Sequence, residues 1–280
     1  MIDLHTHSTC SDGTDSPTAL VKKAAASGIT ILGVTDHDST AGWMEAIAAR
    51  PAQLQLVLGA EVSCLTESGT AVHMLGLLFD GTDQYIQQLL ADSRDTRIPR
   101  MKKMVEKLSA AGFAITYTDV MAQVPQGATV GRPHLADALV AKGIVKARDE
   151  AFAELLHNDS PFYVTHASPT PEDAIRAIRS AGGVAVIAHP YASRRGEIVK
   201  SSDFESMVSA GLSGIEVFHR DHSDEEKNLL VQVAQELDLV MTGASDYHGT
   251  GKLNGLGENT TSAGEFERLE SMANARRVVK

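Results

Sequence analysis

The chain has 280 residues, 43% hydrophobic and 22% charged, which suits one large globular domain or a domain with an insertion. Its formal charge of −11 argues against a broad duplex-DNA surface, and no apolar run approaches the roughly 20 residues of a membrane span. Two cysteines cannot form a disulfide framework, so we expect a cytoplasmic protein without a signal peptide. The oligomeric state stays open.

The first residues combine a strand pattern with metal-binding side chains. Residues two apart in a strand project from the same face, so His5 and His7 can converge on one ion. Asp12 and Gly13 then predict a tight turn that returns a carboxylate over the strand end. Two imidazoles and a carboxylate so close in sequence suit a divalent metal. A surface strand with two incidental histidines would show the same pattern, so the rest of the chain must decide.

Strands and helices alternate along most of the chain. Gly28 ends a predicted helix, and an apolar run over 29–34 predicts a strand that is buried on both faces. Ser68 and Gly69 predict a turn between two strands. The other predicted strands cover 54–58, 72–79, 184–188, 214–218 and 239–242, and helices precede or follow them at 40–50, 171–180, 204–210 and 224–237. This alternation is typical of an α/β barrel or open sheet.

The pattern changes in the middle of the chain, where strand signals are few. Residues 84–111 predict a long helix, and shorter helical stretches follow at 117–124, 132–142 and 148–157. We therefore predict a barrel built from residues 1–94 and 166–280, with 95–165 as a helical insertion domain that covers the active site.

Nine side chains with metal-binding groups lie at or near predicted strand ends. They are His5, His7, Asp12, His37, Glu61, His73, His189, Asp246 and His248. The carboxyl ends of parallel barrel strands share one face, and active sites are built there. A single core histidine is usually structural, but chance placement does not explain nine such residues that recur after successive strands. The sequence therefore predicts a metal site on this rim.

These motifs resemble those of the polymerase-and-histidinol-phosphatase (PHP) domain family of metal-dependent phosphoesterases. The matching segments are His5-x-His7 with Asp12-Gly13, Thr35-Asp36-His37-Asp38, Gly59-x-Glu61, His73, Ala188-His189-Pro190 and Asp246-x-His248. The resemblance covers the chain outside the insertion. It implies an α/β fold, a distorted (β/α)7 barrel with a small helical insertion domain, and a site for two or three metal ions.

The resemblance also implies how the nine ligands divide among the ions. A first metal would take His5, His7, Glu61 and Asp246. Glu61 would bridge to a second metal with His73 and His189, and a third would take Asp12, His37 and His248. A mixed histidine and carboxylate set suits Mn²⁺, Fe²⁺ or Zn²⁺ better than Mg²⁺. Two adjacent metals would activate a bridging water for in-line attack on a phosphoryl group, with no nucleophilic side chain required.

Within the family, the insertion resembles that of small stand-alone members that act on nucleotides. These remove the 3′-phosphate of nucleoside 3′,5′-bisphosphates, giving a 5′-monophosphate such as AMP, while relatives trim RNA from its 5′ end. The expected substrate is therefore a small nucleotide or an RNA 5′ end. Hydrolysis of another small phosphate ester or a cyclic phosphate is an alternative.

Further side chains are candidates for contacts with the substrate or the ligands. Glu61 is predicted to be catalytic as the bridging carboxylate. Candidates for orienting ligands or protonating the leaving oxygen are Asp36, Asp38, His219 and His222, and support of neighbouring ligands is the simpler interpretation of Asp36 and Asp38. The candidates for holding a substrate phosphate are Arg132, His134, Arg194, Arg195 and Arg220. Arg132 and His134 attract attention because they begin a predicted helix, where an anion can bind.

Two other classes of function compete with a phosphoesterase. A metal-dependent amidohydrolase is one, because the same barrel and ligands serve hydrolysis at carbon. A non-catalytic metal-binding module is the other, although structural sites usually have only four ligands. Surplus arginine near the site favours a phosphate substrate.

Overall fold

In the computed structural model, residues 1–165 and 167–280 are described, except for the side chain of Arg195. Within these residues, seven strands pair in the order in which they occur along the chain. The strands are β1 (Ile2–Asp3), β2 (Ile31–Val34), β3 (Gln55–Leu65), β4 (Ala71–Leu77), β5 (Val184–Ala188), β6 (Gly214–Phe218) and β7 (Val240–Gly243). The helices are α1 (Pro17–Ala26), α2 (Trp43–Ala49), α3 (Gln84–Ala110), α4 (Tyr117–Met121), α5 (Arg132–Ala141), α6 (Arg148–Glu154), α7 (Pro171–Ser180), α8 (Ser201–Ala210), α9 (Asp224–Glu236) and α10 (Ala263–Met272).

The seven strands nearly close into a barrel, which confirms the predicted fold class. Thr6, just past β1, forms a parallel bridge with Tyr247, just past β7. Two hydrogen bonds strengthen this seam: the amide of His7 donates to the carbonyl of Tyr247 at 2.8 Å, and the amide of Ser245 donates to Asp3 at 3.0 Å. The loops that carry the first and last metal-binding motifs therefore lie side by side.

The hairpin of β3 and β4 departs from a purely parallel barrel. β4 runs antiparallel to both of its neighbours, β3 and β5, while the other paired strands run parallel. His73 lies near the amino end of β4 and pairs in register with Ala188 at the carboxyl end of β5. Because β4 runs backwards, its amino end reaches the rim formed by the carboxyl ends of the parallel strands.

Two strands depart from their predictions in a way that affects the site. β1 ends at Asp3, because the chain beyond it pairs only at Thr6, so His5 and His7 lie on an extended segment and not in a regular strand. β3 continues to Leu65, so Glu61 lies inside the strand and not past its end. The cause is a change of partner, since β3 pairs with β2 as far as Leu58 and with β4 from Gly59 onward.

The middle of the chain packs around its own hydrophobic core. Buried residues from Met101 to Leu156 form this core, distinct from the two clusters that line the barrel. Helix α3 joins the two regions as one continuous helix that includes Pro99. We keep 95–165 as the proposed extent of the insertion, with α3 crossing its first boundary. None of the described helices is both long and apolar enough to span a membrane.

Candidate metal centre and substrate cavity

The two histidines of the first motif converge as their spacing predicts. The Nε2 atoms of His5 and His7 lie 3.0 Å apart, and both side chains are fully buried. The following turn is held close because the amide of Gly13 donates to the carbonyl of Ser8 at 3.0 Å. A β-carbon on Gly13 would lie 2.5 Å from the carbonyl oxygen of His7, so only glycine allows this approach. The turn thereby brings Asp12 over His7.

The carboxylate of Glu61 lies at the centre of the cluster, with its two oxygens facing different histidines. Oε2 lies 3.2 Å from Nε2 of His5 and 3.1 Å from Nε2 of His7. Oε1 lies 2.7 Å from Nδ1 of His73 and 3.3 Å from Nε2 of His189. This division has the form expected of a carboxylate that bridges two cations.

The carboxylate of Asp12 lies close to a further group of histidines. Its oxygens lie 3.7 Å from Nε2 of His37, 3.4 Å from Nε2 of His248 and 3.8 Å from Nδ1 of His7. Asp246 contacts the neighbouring group, because its Oδ1 lies 3.5 Å from His5 and 3.4 Å from His7. The structure thus brings together all nine side chains that the sequence predicted as ligands.

The charges of the cluster keep its carboxylates ionised. Burial alone would raise the pKa of Glu61, but His73, His37 and His5 outweigh it and hold that pKa well below its usual range. Burial would likewise raise the pKa of Asp12, but its contacts with His37 and His248 outweigh burial and hold that pKa well below normal. Burial lowers the pKa of His248 to about 4, with the charges of His7 and Lys252 acting in the same direction. Against the effect of burial, Asp246 and Glu61 raise the pKa of His7 to about 9, so His7 must release a proton before it binds a metal, whereas His248 is already neutral.

Unpaired polar atoms show that the cluster fits divalent cations. Among the described residues, the buried atoms without a hydrogen-bond partner include Oδ1 of Asp12, Nδ1 of His37, Oε2 of Glu61 and Nε2 of His248. Leaving such atoms unpaired in the interior is costly. Groups of three or four ligand atoms lie within 4.8 Å of one another, including the set of His5, His7, Glu61 and Asp246. A cation bound among these atoms would satisfy them.

Glu216 supports the cluster, and sequence reasoning missed it. Its Oε2 accepts a hydrogen bond from the amide of His189 at 2.8 Å and lies 3.4 Å from Nδ1 of His5. A carboxylate on the far ring nitrogen fixes the orientation of a metal-binding imidazole. The signal in the sequence was a charged residue within the buried strand β6.

The four side chains considered beside the ligands have different surroundings. Asp36 accepts hydrogen bonds from both the amide and the hydroxyl of Ser8, and so braces the loop that carries Asp12. Both ring nitrogens of His222 meet backbone groups. His219 lies closer to the ligands, because its buried Nε2 is 3.7 Å from Oδ2 of Asp246. The fourth, Asp38, forms an ion pair with the insertion.

That ion pair joins Asp38 to Arg97 of α3. Nε and Nη2 of Arg97 donate to Oδ2 of Asp38 at 2.9 and 2.5 Å. Arg97 also donates to the hydroxyl of Ser63 at 2.7 Å and to the carbonyl of Val130 at 3.3 Å. The helical region is therefore anchored to the barrel beside the cluster.

A cavity of about 530 Å³ opens between the cluster and the insertion. Asp12, His37, His73, His189 and His248 line it from the barrel. Basic side chains line it as well: Arg97, Arg100, Arg132, Arg148, Arg194, Arg220 and Lys252. Its position, size and charge suit a small anionic molecule that reaches the metal-binding groups.

Three of the predicted substrate-binding residues line this cavity, whereas the other two do not have the same standing. Arg132 lines the cavity, and its Nη1 donates to the carbonyl of Leu156 at 2.9 Å and to Asn158 at 2.8 Å. Arg194 and Arg220 also line it, and Arg220 donates to the carbonyl of Leu253 at 2.7 Å. His134 is buried, and its Nδ1 accepts a hydrogen bond from the amide of Gly131. The side chain of Arg195 lies outside the described part of the chain.

Comparisons with known proteins agree with this architecture. Residues 3–96 match the PHP domain. A 3′,5′-nucleoside bisphosphate phosphatase from Chromobacterium violaceum is 35% identical over 252 residues, which are 90% of this chain and 88% of the relative. A 5′-3′ exoribonuclease from Haemophilus influenzae is 35% identical over 250 residues, 88% of this chain and 89% of the relative.

Two solved structures are similar over nearly their whole length. A protein from Bifidobacterium adolescentis, provisionally assigned as a metal-dependent phosphoesterase, has a TM-score of 0.91 and 40% identity, covering 97% of this chain and 96% of that one. An amidohydrolase from Chromobacterium violaceum, with bound sulfate and no metal, has a TM-score of 0.87 and 32% identity, covering 98% and 97%. The fold, the cluster and these similarities define the class: the chain belongs to the PHP-domain family. It is a metal-dependent phosphoester hydrolase.

Proposed function

We propose that this protein removes the 3′-phosphate of a nucleoside 3′,5′-bisphosphate and leaves the nucleoside 5′-monophosphate, such as AMP. The observation that carries the proposal is the cavity, which has the buried ligand cluster at one side and basic side chains of the insertion at the other. Such a substrate has one phosphate to be hydrolysed and a second to be held. The similarity to the bisphosphate phosphatase from Chromobacterium violaceum supports this choice.

The nine predicted ligands would hold two or three divalent ions, with Glu61 shared between two of them. Their histidine and carboxylate atoms suit Mn²⁺, Fe²⁺ or Zn²⁺. Such ions polarise phosphoryl oxygens and make a bound water more acidic. Other side chains hold the ligands in place: Glu216 orients His5, and Asp36 fixes the loop that carries Asp12.

Arg132 is the proposed contact for the second phosphate. Nη1 is engaged by Leu156 and Asn158, and the guanidinium lies over the rings of Phe152 and Tyr163, at 5.7 and 5.2 Å from their centres. These contacts hold the group in a fixed orientation. A guanidinium has five N–H donors, so its remaining donors can bind a phosphate. His134 stays a predicted phosphate contact, and its Nδ1 also caps the first turn of α5 by accepting from the amide of Gly131.

A second candidate is 5′-3′ exoribonuclease activity. The relative from Haemophilus influenzae that bears this name is as similar to the chain as the bisphosphate phosphatase is. An RNA 5′ end also presents a phosphate beside the scissile ester, so the same cavity could take a terminal nucleotide.

The substrates can be separated by their products. The metal-loaded protein is incubated with adenosine 3′,5′-bisphosphate, a 5′-phosphorylated oligoribonucleotide, a nucleoside 2′,3′-cyclic phosphate and a phosphate-free amide panel. ³¹P NMR and chromatography then identify what is released. We expect inorganic phosphate and AMP from the bisphosphate at the highest kcat/KM. Faster release of mononucleotides from RNA would favour the exoribonuclease, and hydrolysis of amides alone would overturn the proposal.

A further inference from the structure

Lys252 occupies a position between the cluster and the cavity. It follows the short 3₁₀ turn Gly249–Gly251, just after the motif of Asp246 and His248. Its Nζ lies 2.8 Å from Oδ2 of Asp246. The Asp246 side chain is 1% exposed, whereas that of Lys252 is 31% exposed and lines the cavity. The ammonium is thus anchored to a candidate ligand while it remains accessible.

The contacts of Lys252 differ from those of the other cations around the cavity. Arg97 pairs with Asp38, and Arg148 pairs with Asp137 at 2.5 Å. Neither of those carboxylates belongs to the nine candidate ligands. Asp246, the partner of Lys252, is one of the nine candidate ligands. The positive charge of Lys252 therefore lies next to the site where a phosphoryl group would react.

The two oxygens of the Asp246 carboxylate contact different groups. Oδ1 faces the cluster, at 3.5 Å from His5 and 3.4 Å from His7. Oδ2 faces Lys252. An ammonium has three donors, and this contact uses one, so two are left for another acceptor. Phosphoryl transfer spreads negative charge over the non-bridging oxygens, and positive groups fixed nearby stabilise that charge.

We infer that Lys252 is a catalytic residue that donates a hydrogen bond to the phosphoryl group of the substrate. The inference rests on the proposed phosphatase function and adds a protein cation to the metal-binding groups. A hydrogen bond to a charged partner contributes about 1.5–3 kcal/mol, which corresponds to a tenfold to hundredfold effect. A role limited to holding Asp246 would instead act through metal binding.

The test compares Lys252→Met with Lys142→Met in metal-loaded protein. Lys142 pairs with Asp119 at 3.4 Å on the insertion and does not line the cavity, so its variant removes a lysine–aspartate pair away from the site. Metal content is measured by mass spectrometry, and binding of inorganic phosphate by calorimetry. Rates are then measured with an aryl phosphate.

We expect Lys252→Met to keep the wild-type metal content, to raise the phosphate Kd at least tenfold, and to lower kcat/KM tenfold to hundredfold. Lys252→Arg should recover part of the phosphate affinity, and Lys142→Met should match the wild type. Equal phosphate affinity in Lys252→Met and wild type, or no phosphate binding by either, would overturn the inference. So would loss of metal from Lys252→Met, which would assign the residue to positioning Asp246. Phosphate binding is measured without turnover, so it tests Lys252 even if the proposed substrate is wrong.

Discussion

At the residue scale, the site depends on carboxylates with two oxygens in different surroundings. Glu61 directs Oε2 to His5, His7 and His37 and Oε1 to His73 and His189. Asp246 shares its oxygens between the histidines and Lys252. In both cases a single buried side chain connects groups that come from distant parts of the sequence, so its replacement should affect more than one of them.

Replacement of Glu61 by Gln should abolish most activity while the fold is kept. The amide preserves the shape of the side chain but removes the charge that would bind two cations. Since loss of a group that only supports a ligand costs about 10–100-fold, we expect at least about a hundredfold loss of kcat and a lower metal content. Kinetics, metal analysis and circular dichroism provide the measurements. Glu267→Gln, at an exposed position on α10, is the control. Near-wild-type turnover in Glu61→Gln would contradict a shared carboxylate.

Replacement of Arg132 by Ala should affect substrates with two phosphates selectively. We expect kcat/KM for adenosine 3′,5′-bisphosphate to fall about tenfold to hundredfold, because a charge-assisted hydrogen bond of about 1.5–3 kcal/mol is lost. Hydrolysis of an aryl phosphate, which lacks the second anchor, should barely change. Arg268→Ala, in a surface pair with Asp238, controls for loss of an arginine. Equal losses on both substrates would mean that Arg132 supports the insertion, where it bonds Leu156 and Asn158.

At the element scale, helix α3 and the hairpin of β3 and β4 determine how the insertion meets the barrel. Arg97 projects from α3 into a buried contact with Asp38, Ser63 and Val130, three separate segments. The hairpin carries Glu61 and His73 to the same rim. The helix and strand signals along the chain predicted these elements, but not the partners of Arg97, since its partner Asp38 lies 59 residues away in sequence.

Removal of Arg97 should destabilise the protein more than loss of a surface arginine. Arg97→Met leaves the charge of Asp38 buried without its partner, which costs about 3–5 kcal/mol. The double variant Asp38→Asn with Arg97→Met should be less destabilised than the single variant, because no unpaired charge remains. Urea unfolding followed by circular dichroism measures both. Arg176→Met should change the stability by at most about 1 kcal/mol, since its pair with Asp173 is exposed. A similar small effect for Arg97→Met would show that the buried pair contributes little.

At the scale of the whole molecule, the alternation of strands and helices predicted an α/β barrel or open sheet, and the resemblance to the family predicted the barrel. The candidate ligands were found because each lies in a short motif near a strand, as at His5 and His7 or Asp246 and His248. The supporting contacts were less predictable. Glu216 acts on His5 across 211 residues, and Lys252 meets Asp246 only because a 3₁₀ turn folds the loop back. Such contacts depend on tertiary packing and leave no periodic pattern.

Removal of metal should lower the thermal stability of the whole protein. The buried unpaired atoms of Asp12, His37, Glu61 and His248 gain partners when a cation binds. A ligand at a hundred times its Kd stabilises the native state by about 2.7 kcal/mol, and a protein of this size shifts its Tm by about 2–4 °C per kcal/mol. We therefore expect Tm to fall by about 5–10 °C after chelation and to recover when Mn²⁺ is returned. Differential scanning calorimetry measures the change, and an unchanged Tm would contradict metal binding at this cluster.

The number of metal ions per chain tests the central claim most directly. The candidate ligands form several groups, two of which share Glu61, and together they exceed what one ion can use. Protein purified without chelators is analysed by inductively coupled plasma mass spectrometry against an independently measured protein concentration. We predict more than one equivalent of Mn, Fe or Zn per chain in wild-type protein. One equivalent or none, in protein that hydrolyses the bisphosphate at its full rate, would contradict a multinuclear centre.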